Sequence, residues 1–304
     1  MDLATSAGGM SRLGADALLL ATAAFWGVTF VMQKDAAAVL PPLAFVAARF
    51  LASAVVLAPL ALVEHKRASR PARRGAVRLA AAMGVCLFLG TSLQQAGLAT
   101  TSATNGGFLT ACYVALTPFV FWALSGIRPR SAVIGAGIVS LLGAYLLATG
   151  GGPAQPPTIG DGLVLMADVA WAAGIALTPL FLIRAPRPLT LAFAQYAICG
   201  TLAALASLIL ETAPPRAFLD AAPDIAFAGL LSGALAYTLQ IVAQRYTPPA
   251  EAALILSLES VFAAGAGALL LGERLTPVGV AGCALILLGA IAAEAAPWLS
   301  GKAA

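Results

Sequence analysis

Three ionisable side chains stand inside apolar runs of this sequence: Arg49, Asp168 and Glu259. A charge at such a depth is costly, so it is expected to face a polar cavity, a partner side chain or a bound ligand. Glu259 lies near the middle of the run from Pro249 to Leu271. Two readings stand side by side: it binds a substrate amine or a proton, or it is hydrogen-bonding glue between helices. Asp168 precedes Trp171 by one helical turn, and a carboxyl tied to a helix neighbour competes there with a cavity role. Arg49 either snorkels outward or pairs with Asp168 at similar depth, and the structural pair is favoured. The three groups sum to −1 if all are ionised, so one carboxyl is expected to meet cavity water or to hold a proton.

Around these stand polar and aromatic residues that carry no charge. Gln94, Gln95, Gln240 and Gln244 can bind a carboxylate or an amine through their amides, and they serve equally as interhelical hydrogen bonds. Trp26, Phe30, Trp171 and Tyr237 either wall a cavity for a hydrophobic side chain or pack towards lipid. Tyr113 occupies the position that Glu259 holds 146 residues later. An enzyme is not expected. The single histidine, His65, sits in a polar loop and completes no Ser/His/Asp set. No phosphate-binding lysine loop is present. Cys86, Cys112, Cys199 and Cys283 fall in apolar segments and read as free thiols rather than disulfides or metal ligands. No cofactor or metal is expected. The Gly135/Gly137 and Gly265/Gly267 pairs read as close-packing positions, and Glu251 as a carboxylate suited to a helix start.

The segments that must hold these residues are long and apolar. Of 304 residues 61% are hydrophobic and 10% charged, with a mean hydropathy of +0.94, whereas a soluble domain carries roughly 25% charge. Runs of about 20 apolar residues span a bilayer. Ten are predicted, at about 15–33, 43–63, 76–97, 103–125, 131–149, 160–182, 189–210, 223–245, 249–271 and 277–297. The chain is therefore an all-α polytopic membrane protein. The first run is not a signal peptide, because a related segment recurs internally. Its basic residues lie in loops rather than on one face, which excludes a nucleic-acid partner.

The two halves repeat. Asp16 matches Asp161, Trp26 matches Trp171, Pro42 matches Pro188, Gln94 matches Gln240 and Gly143 matches Gly289, each 145 or 146 residues apart. The Gly126-Ile127-Arg128 loop likewise matches Gly272-Glu273-Arg274. A constant offset is the mark of duplication. Residues 1–150 form the first repeat and 151–304 the second, joined by the uncharged Gly150–Thr158 connector. Five spans per repeat is an odd number, so the second copy must lie upside down relative to the first.

Charge placement bears on orientation. With the N-terminus inside, the cytoplasmic segments hold Arg12, Lys66, Arg67, Arg70, Arg73, Arg74, Arg78, Arg128, Arg130, Arg184, Arg187, Arg245 and Lys302. The outer side holds only Lys34, Arg216 and Arg274. That is the positive-inside bias. Both termini are expected in the cytoplasm, with a cysteine at Pro156 reactive from outside and one at Ser69 not. The basic run from Lys66 to Arg78 reads as a topology signal in contact with anionic lipid.

The WGVTF stretch of the first helix, QQAGLATTSATNGGFLTACYV in the first half and QRYTPPAEAALILSLESVFAAGAGALLLGERLTPVGVAGCALILLG in the second resemble the EamA family of the drug/metabolite transporter superfamily. Within it the chain looks most like amino-acid exporters of the YddG type. It departs from the family pattern at Ser260, where proline often follows the glutamate, and at Ile127, which replaces a loop glutamate. The resemblance implies a ten-helix inverted-repeat transporter with a central cavity, working by alternating access in a bacterial plasma membrane. The substrate it implies is a small metabolite, with amphipathic amino acids first and export the direction; a drug or sugar-metabolite carrier, or a lipid-flipping or structural subunit needing a partner, are the alternatives. The expected partners are that small molecule and the lipid bilayer, and the expected state is a monomer. The candidate substrate-binding residues are Trp26, Phe30, Gln94, Tyr113, Asp168, Trp171, Tyr237, Gln240 and Glu259, in a cavity lined by the first, third, fourth, sixth, eighth and ninth helices.

Overall fold

The computed structural model describes residues 10–68, 71–101, 103–152, 158–270, 272 and 274–299, with backbone alone for 103–105 and 294–299. Within them every regular element is helical. The spans are α1 (Arg12–Ala37), α2 (Pro42–Arg67), α3 (Ala76–Leu98), α4 in two pieces (Ala103–Thr110 and Tyr113–Ser125), α5 (Ser131–Thr149), α6 (Ile159–Arg184), α7 (Pro188–Leu210), α8 (Ala222–Ala243), α9 in two pieces (Pro249–Leu256 and Glu259–Leu270) and α10 (Pro277–Leu299). Nine are long and apolar enough to cross a membrane, and the tenth, Pro277–Ala293, is a shorter apolar helix. The molecule is a multi-pass membrane protein. Most of the Gly150–Thr158 connector, together with Pro156, Ser69, Arg70, Glu273 and Lys302, lies outside the described residues.

The helices pair as the duplication requires. The closest partners are α5 with α10, α2 with α7 and α3 with α6, while α1 runs along α8. Adding one repeat of five helices to each member, counted round the ten, reproduces the set. The α5–α10 seam shows why. A Cβ on Gly143 would lie 2.6 Å from the Gly282 carbonyl oxygen, and one on Gly289 would lie 2.8 Å from that of Ala136. Gly289 and Gly282 stand 146 residues beyond Gly143 and Ala136, so one contact is the repeat of the other. The two helices run antiparallel there, backbone against backbone.

The α2–α7 pair carries the same relation in its caps. Glu211, just past the end of α7, accepts from the Leu43 and Ala44 backbone N–H groups, both at 2.9 Å. Glu64, near the end of α2, accepts from those of Leu189 and Thr190 at 3.2 and 2.7 Å. Both α2 and α7 open on Pro-Leu and lack a capping side chain of their own. Each is therefore closed by a carboxylate from the far end of its partner, where the helix dipole also favours a negative group.

Three helices depart from continuous α geometry. In α4 and α9 the bonding tightens for one turn, Cys112 N–H to Leu109 and Leu258 N–H to Ile255, the same place in each repeat. Tyr113 and Glu259 are the first residues after these turns. The helices expected over about 103–125 and 249–271 are present as spans, each with one tightened turn inside it. In α8, residues Phe227–Tyr237 form a π-helix, whose wider turns leave carbonyls open to side chains. Four side chains take them up: Ser53 donates to Gly229, Trp26 to Ser232, Tyr196 to Gly233 and Thr22 to Ala236, at 2.7–3.3 Å.

The glycine expectation is also corrected. Gly135 and Gly265 face open space. Tight approaches to a partner helix occur instead at positions such as Gly27, Gly97, Gly143, Gly160, Gly200, Gly282 and Gly289.

Candidate functional site

Between the two repeats lies a cavity enclosing about 740 Å³ of empty space, counting its mouth. Trp26, Thr29, Phe30 and Gln33 line it from α1, Arg49 from α2, and Met83, Leu87 and Gln94 from α3. Thr110 and Tyr113 come from α4, Trp171, Gly174, Ile175 and Thr178 from α6, Gln195 from α7, Ser232, Tyr237, Gln240 and Ile241 from α8, and Glu259 from α9. Neither α5 nor α10 contributes. Their seam against each other holds them at one side of the bundle.

An aromatic cluster forms one wall. Tyr237 is its hub, 4.5 Å from Trp26, 5.9 Å from Trp171, 6.1 Å from Phe50 and 6.3 Å from Tyr196, ring centre to ring centre. The π stretch ends at Tyr237 and sets its reach, and the bonds to Trp26 and Tyr196 fix two of its neighbours.

Amides also line the cavity. Gln33 donates to Gln94 at 3.3 Å, and Gln94 donates to Thr110 at 3.0 Å. Gln95 faces away from the cavity and donates to the Gln33 carbonyl at 2.9 Å. In the second repeat Gln240 donates to Gln244, which donates to the Ile175 carbonyl, both at 3.0 Å. Gln94 and Gln240 thus line the cavity, while their neighbours hold helices together.

Of the nine sequence candidates, the structure brings eight into this one cavity: Trp26, Phe30, Gln94, Tyr113, Trp171, Tyr237, Gln240 and Glu259. Asp168 is the exception. It is fully buried, does not line the cavity, and neither oxygen has a hydrogen-bond partner. It lies near enough to Tyr113 and Glu259 to interact with both electrostatically. One carboxyl therefore faces the cavity and a second stands behind it.

The expected Arg49–Asp168 pair is not formed. Arg49 belongs to α2, which packs on α7 and α8, whereas Asp168 belongs to α6, which packs on α3 and α4. The guanidinium instead lies over two rings, 4.8 Å from the centre of Phe50 and 5.4 Å from that of Phe45. Arg49, Gln33, Gln195, Thr110 and Thr178 were not among the expected lining residues. For two of them the signal was in the spacing. Gln33 falls seven residues after Trp26 and Thr178 seven after Trp171, so each continues a helical face already marked by a tryptophan.

Beyond each end of the cavity sits an Asp–Thr bond. At the start of α1, Thr247 donates to Asp16 at 2.9 Å, and Arg12 pairs with both Asp16 and Glu251, at 3.3 and 2.6 Å. Glu251 is buried and also meets Arg130 at 3.7 Å, so it does more than suit a helix start. At the far end of α1, Lys34 donates to the Leu98 and Thr101 carbonyls, both at 2.8 Å, and Thr101 donates to Asp161 at 2.7 Å. Asp161 also closes a capping box with Thr158 at the start of α6. Among the described residues no group of three or more metal-ligating side chains occurs.

The comparisons with known proteins agree with this plan. The model of the EamA-like transporter family matches the chain twice, over residues 13–149 and 158–293. A protein of Archaeoglobus fulgidus described as an uncharacterized transporter is 32% identical over 286 residues, covering 93% of this chain and 86% of its own. A solved structure described only as the crystal structure of a protein superposes with a TM-score of 0.72. It is 16% identical and covers 93% of this chain and 97% of that one, a likeness that bears on the fold alone.

Proposed function

The chain belongs to the EamA-like transporter family, and from that premise we propose that it is a secondary carrier of small amphipathic metabolites, amphipathic amino acids first, moving them outward. Membership makes it a membrane transporter of the drug/metabolite type. Substrate, direction and mechanism are our reading.

One observation carries that reading. The cavity sits where the two repeats meet, with an aromatic wall centred on Tyr237 and an amide wall centred on Gln94. Rings suit a hydrophobic side chain, and amides suit the polar end of a zwitterion at no cost in fixed charge. A sugar phosphate would call for several cations, and Arg49 is the one cationic side chain in the lining. The antiparallel α5–α10 and α2–α7 pairs support an inverted arrangement in the membrane, and the Asp16–Thr247 and Thr101–Asp161 bonds are suited to act as alternating gates. In this reading both termini are cytoplasmic, the connector is outside, and the protein resides in the bacterial plasma membrane.

The test is uptake by the purified protein alone in liposomes, against a panel of amino acids, sugar metabolites and cationic drugs. Transport of phenylalanine or leucine without a partner chain is expected. Transport only of drugs or sugar metabolites would replace the substrate class, and lipid scrambling without solute transport would overturn the reading.

A further inference from the structure

The unusual group in the cavity is Arg49. It is 4% exposed and cannot shed its charge, since a guanidinium stays protonated at any working pH. Such a cation is normally matched by a carboxylate or by hydrogen bonds. Here neither is found among the described residues: no ion pair forms, no hydrogen bond reaches it, and its Nε is shut from water without an acceptor. The rings of Phe45 and Phe50 are its only matched contacts. These attract the cation but leave its directed N–H donors unused.

The surroundings rule out an internal partner that a small movement would supply. Asp168 is on a helix that α2 does not pack against. Glu259 lines the cavity from α9, and Tyr237 stands close enough to both Arg49 and Glu259 to feel each charge. Arg49 is thus the one cation of the lining and Glu259 its one carboxyl, and no ion pair joins them. A molecule bound in this cavity would have both a cation and a carboxyl within the same lining.

We propose that Arg49 is the anion-docking residue of the cavity, and that the transported molecule carries a carboxylate or an equivalent planar anion which completes the unmatched guanidinium. This rests on the reading of the cavity as the substrate site and adds to it the charge the substrate must bear. Two features favour a carboxylate. The guanidinium fork matches one in bidentate fashion, and the Phe45 and Phe50 rings beside it restrict its position before binding. Glu259 in the same lining can meet an ammonium group, which favours a zwitterion over a simple acid. An unmatched buried charge also costs folding stability, and that cost is removed only when the ligand binds.

The experiment is thermal stabilisation of the purified full-length protein by paired ligands that differ only in charge. The probes are 3-phenylpropionate with 3-phenylpropionamide, phenylalanine with phenylalaninamide, and benzenesulfonate with benzenesulfonamide. Each carboxylate or sulfonate is expected to stabilise wild type more than the matching amide that lacks the anionic group. Arg49→Gln should weaken anion binding by roughly 10- to 100-fold, the span of a charged hydrogen-bonded contact, while phenethylamine binding stays within about twofold. Arg49→Gln without ligand should melt no lower than wild type, because an uncompensated charge has been removed; a structural arginine would give the opposite. Arg49→Lys should retain part of the anion response, having charge without the fork. If phenylalanine fails but another anion shows the Arg49-dependent gain, the amino-acid reading falls and this one stands. If no carboxylate or sulfonate outperforms its matching amide on wild type, or if Arg49→Gln binds anions unchanged, the proposal is overturned. Should Arg49→Gln not fold, the paired comparison on wild type and Arg49→Lys still decides it.

Discussion

Thr247 donates a hydrogen bond to Asp16 at 2.9 Å, and the residues one repeat away, Thr101 and Asp161, make the same bond at 2.7 Å. Asp16 is at the start of α1, while the second bond sits beside Lys34 at its end. Eighteen residues of helix separate Asp16 from Lys34, about 27 Å at 1.5 Å per residue. One duplicated contact thus occurs near each end of α1, and in this structure both are made.

Breaking one bond should favour opening at that end alone. A hydrogen bond to a carboxylate contributes about 1.5–3 kcal/mol, so its loss should shift the balance of states roughly 10- to 100-fold. With the four native cysteines replaced and Ser232→Cys as a cavity reporter, Thr247→Val should raise alkylation from the Asp16 side. Thr101→Val should raise it from the Asp161 side. A shift in the same direction for both variants would exclude paired gates.

Trp171 and Tyr113 meet the cavity, whereas Tyr145 lies on α5, 43% exposed, against the edge of Phe108. Trp171→Ala and Tyr113→Ala should lower transport at least about tenfold, the effect of losing a well-packed aromatic contact, while the folded protein is still recovered from the membrane. Tyr145→Ala should transport normally. Equal losses at all three would point to packing rather than binding.

Glu259 is the one carboxyl in the cavity lining, so coupling to protons is expected to run through it. Glu259→Gln should retain exchange of substrate across liposomes and lose accumulation driven by a pH gradient. Asp168→Asn, behind the wall, should keep a response to the gradient. A wild-type rate and accumulation indifferent to the gradient would favour facilitated exchange.

Orientation can be read from residues the structure describes. Gly152→Cys should react with an impermeant maleimide in intact cells, and Arg67→Cys only after lysis. The reverse pattern would place both termini outside.

The glycine positions of the α5–α10 seam should tolerate no side chain. Gly143→Val and Gly282→Val put atoms within about 2.6 Å of backbone and should cost at least 1–3 kcal/mol, the usual penalty of overpacking. Gly135→Ala, facing open space, should leave the melting temperature unchanged. Melting of the purified protein distinguishes them.

Chain order by itself determined the span plan, because a bilayer demands runs of fixed apolar length and these ten announce themselves. It determined the duplication too, since Trp26 and Trp171, or Gln94 and Gln240, keep a constant spacing. It marked eight cavity residues, because a polar or aromatic group at membrane depth must face something other than lipid. What it left open was which buried groups meet. Arg49 and Asp168 lie at similar depth, yet depth is one coordinate of three; the packing of α2 on α7 and of α6 on α3 sends them to different places. The Gly-x-Gly spacing of Gly135 and Gly137 likewise records small residues without saying which face of α5 meets α10. The π stretch in α8 depends on carbonyl partners from α1, α2 and α7, three helices distant in sequence. Only the tertiary structure supplies those donors, and with them the position of Tyr237 at the centre of the aromatic cluster.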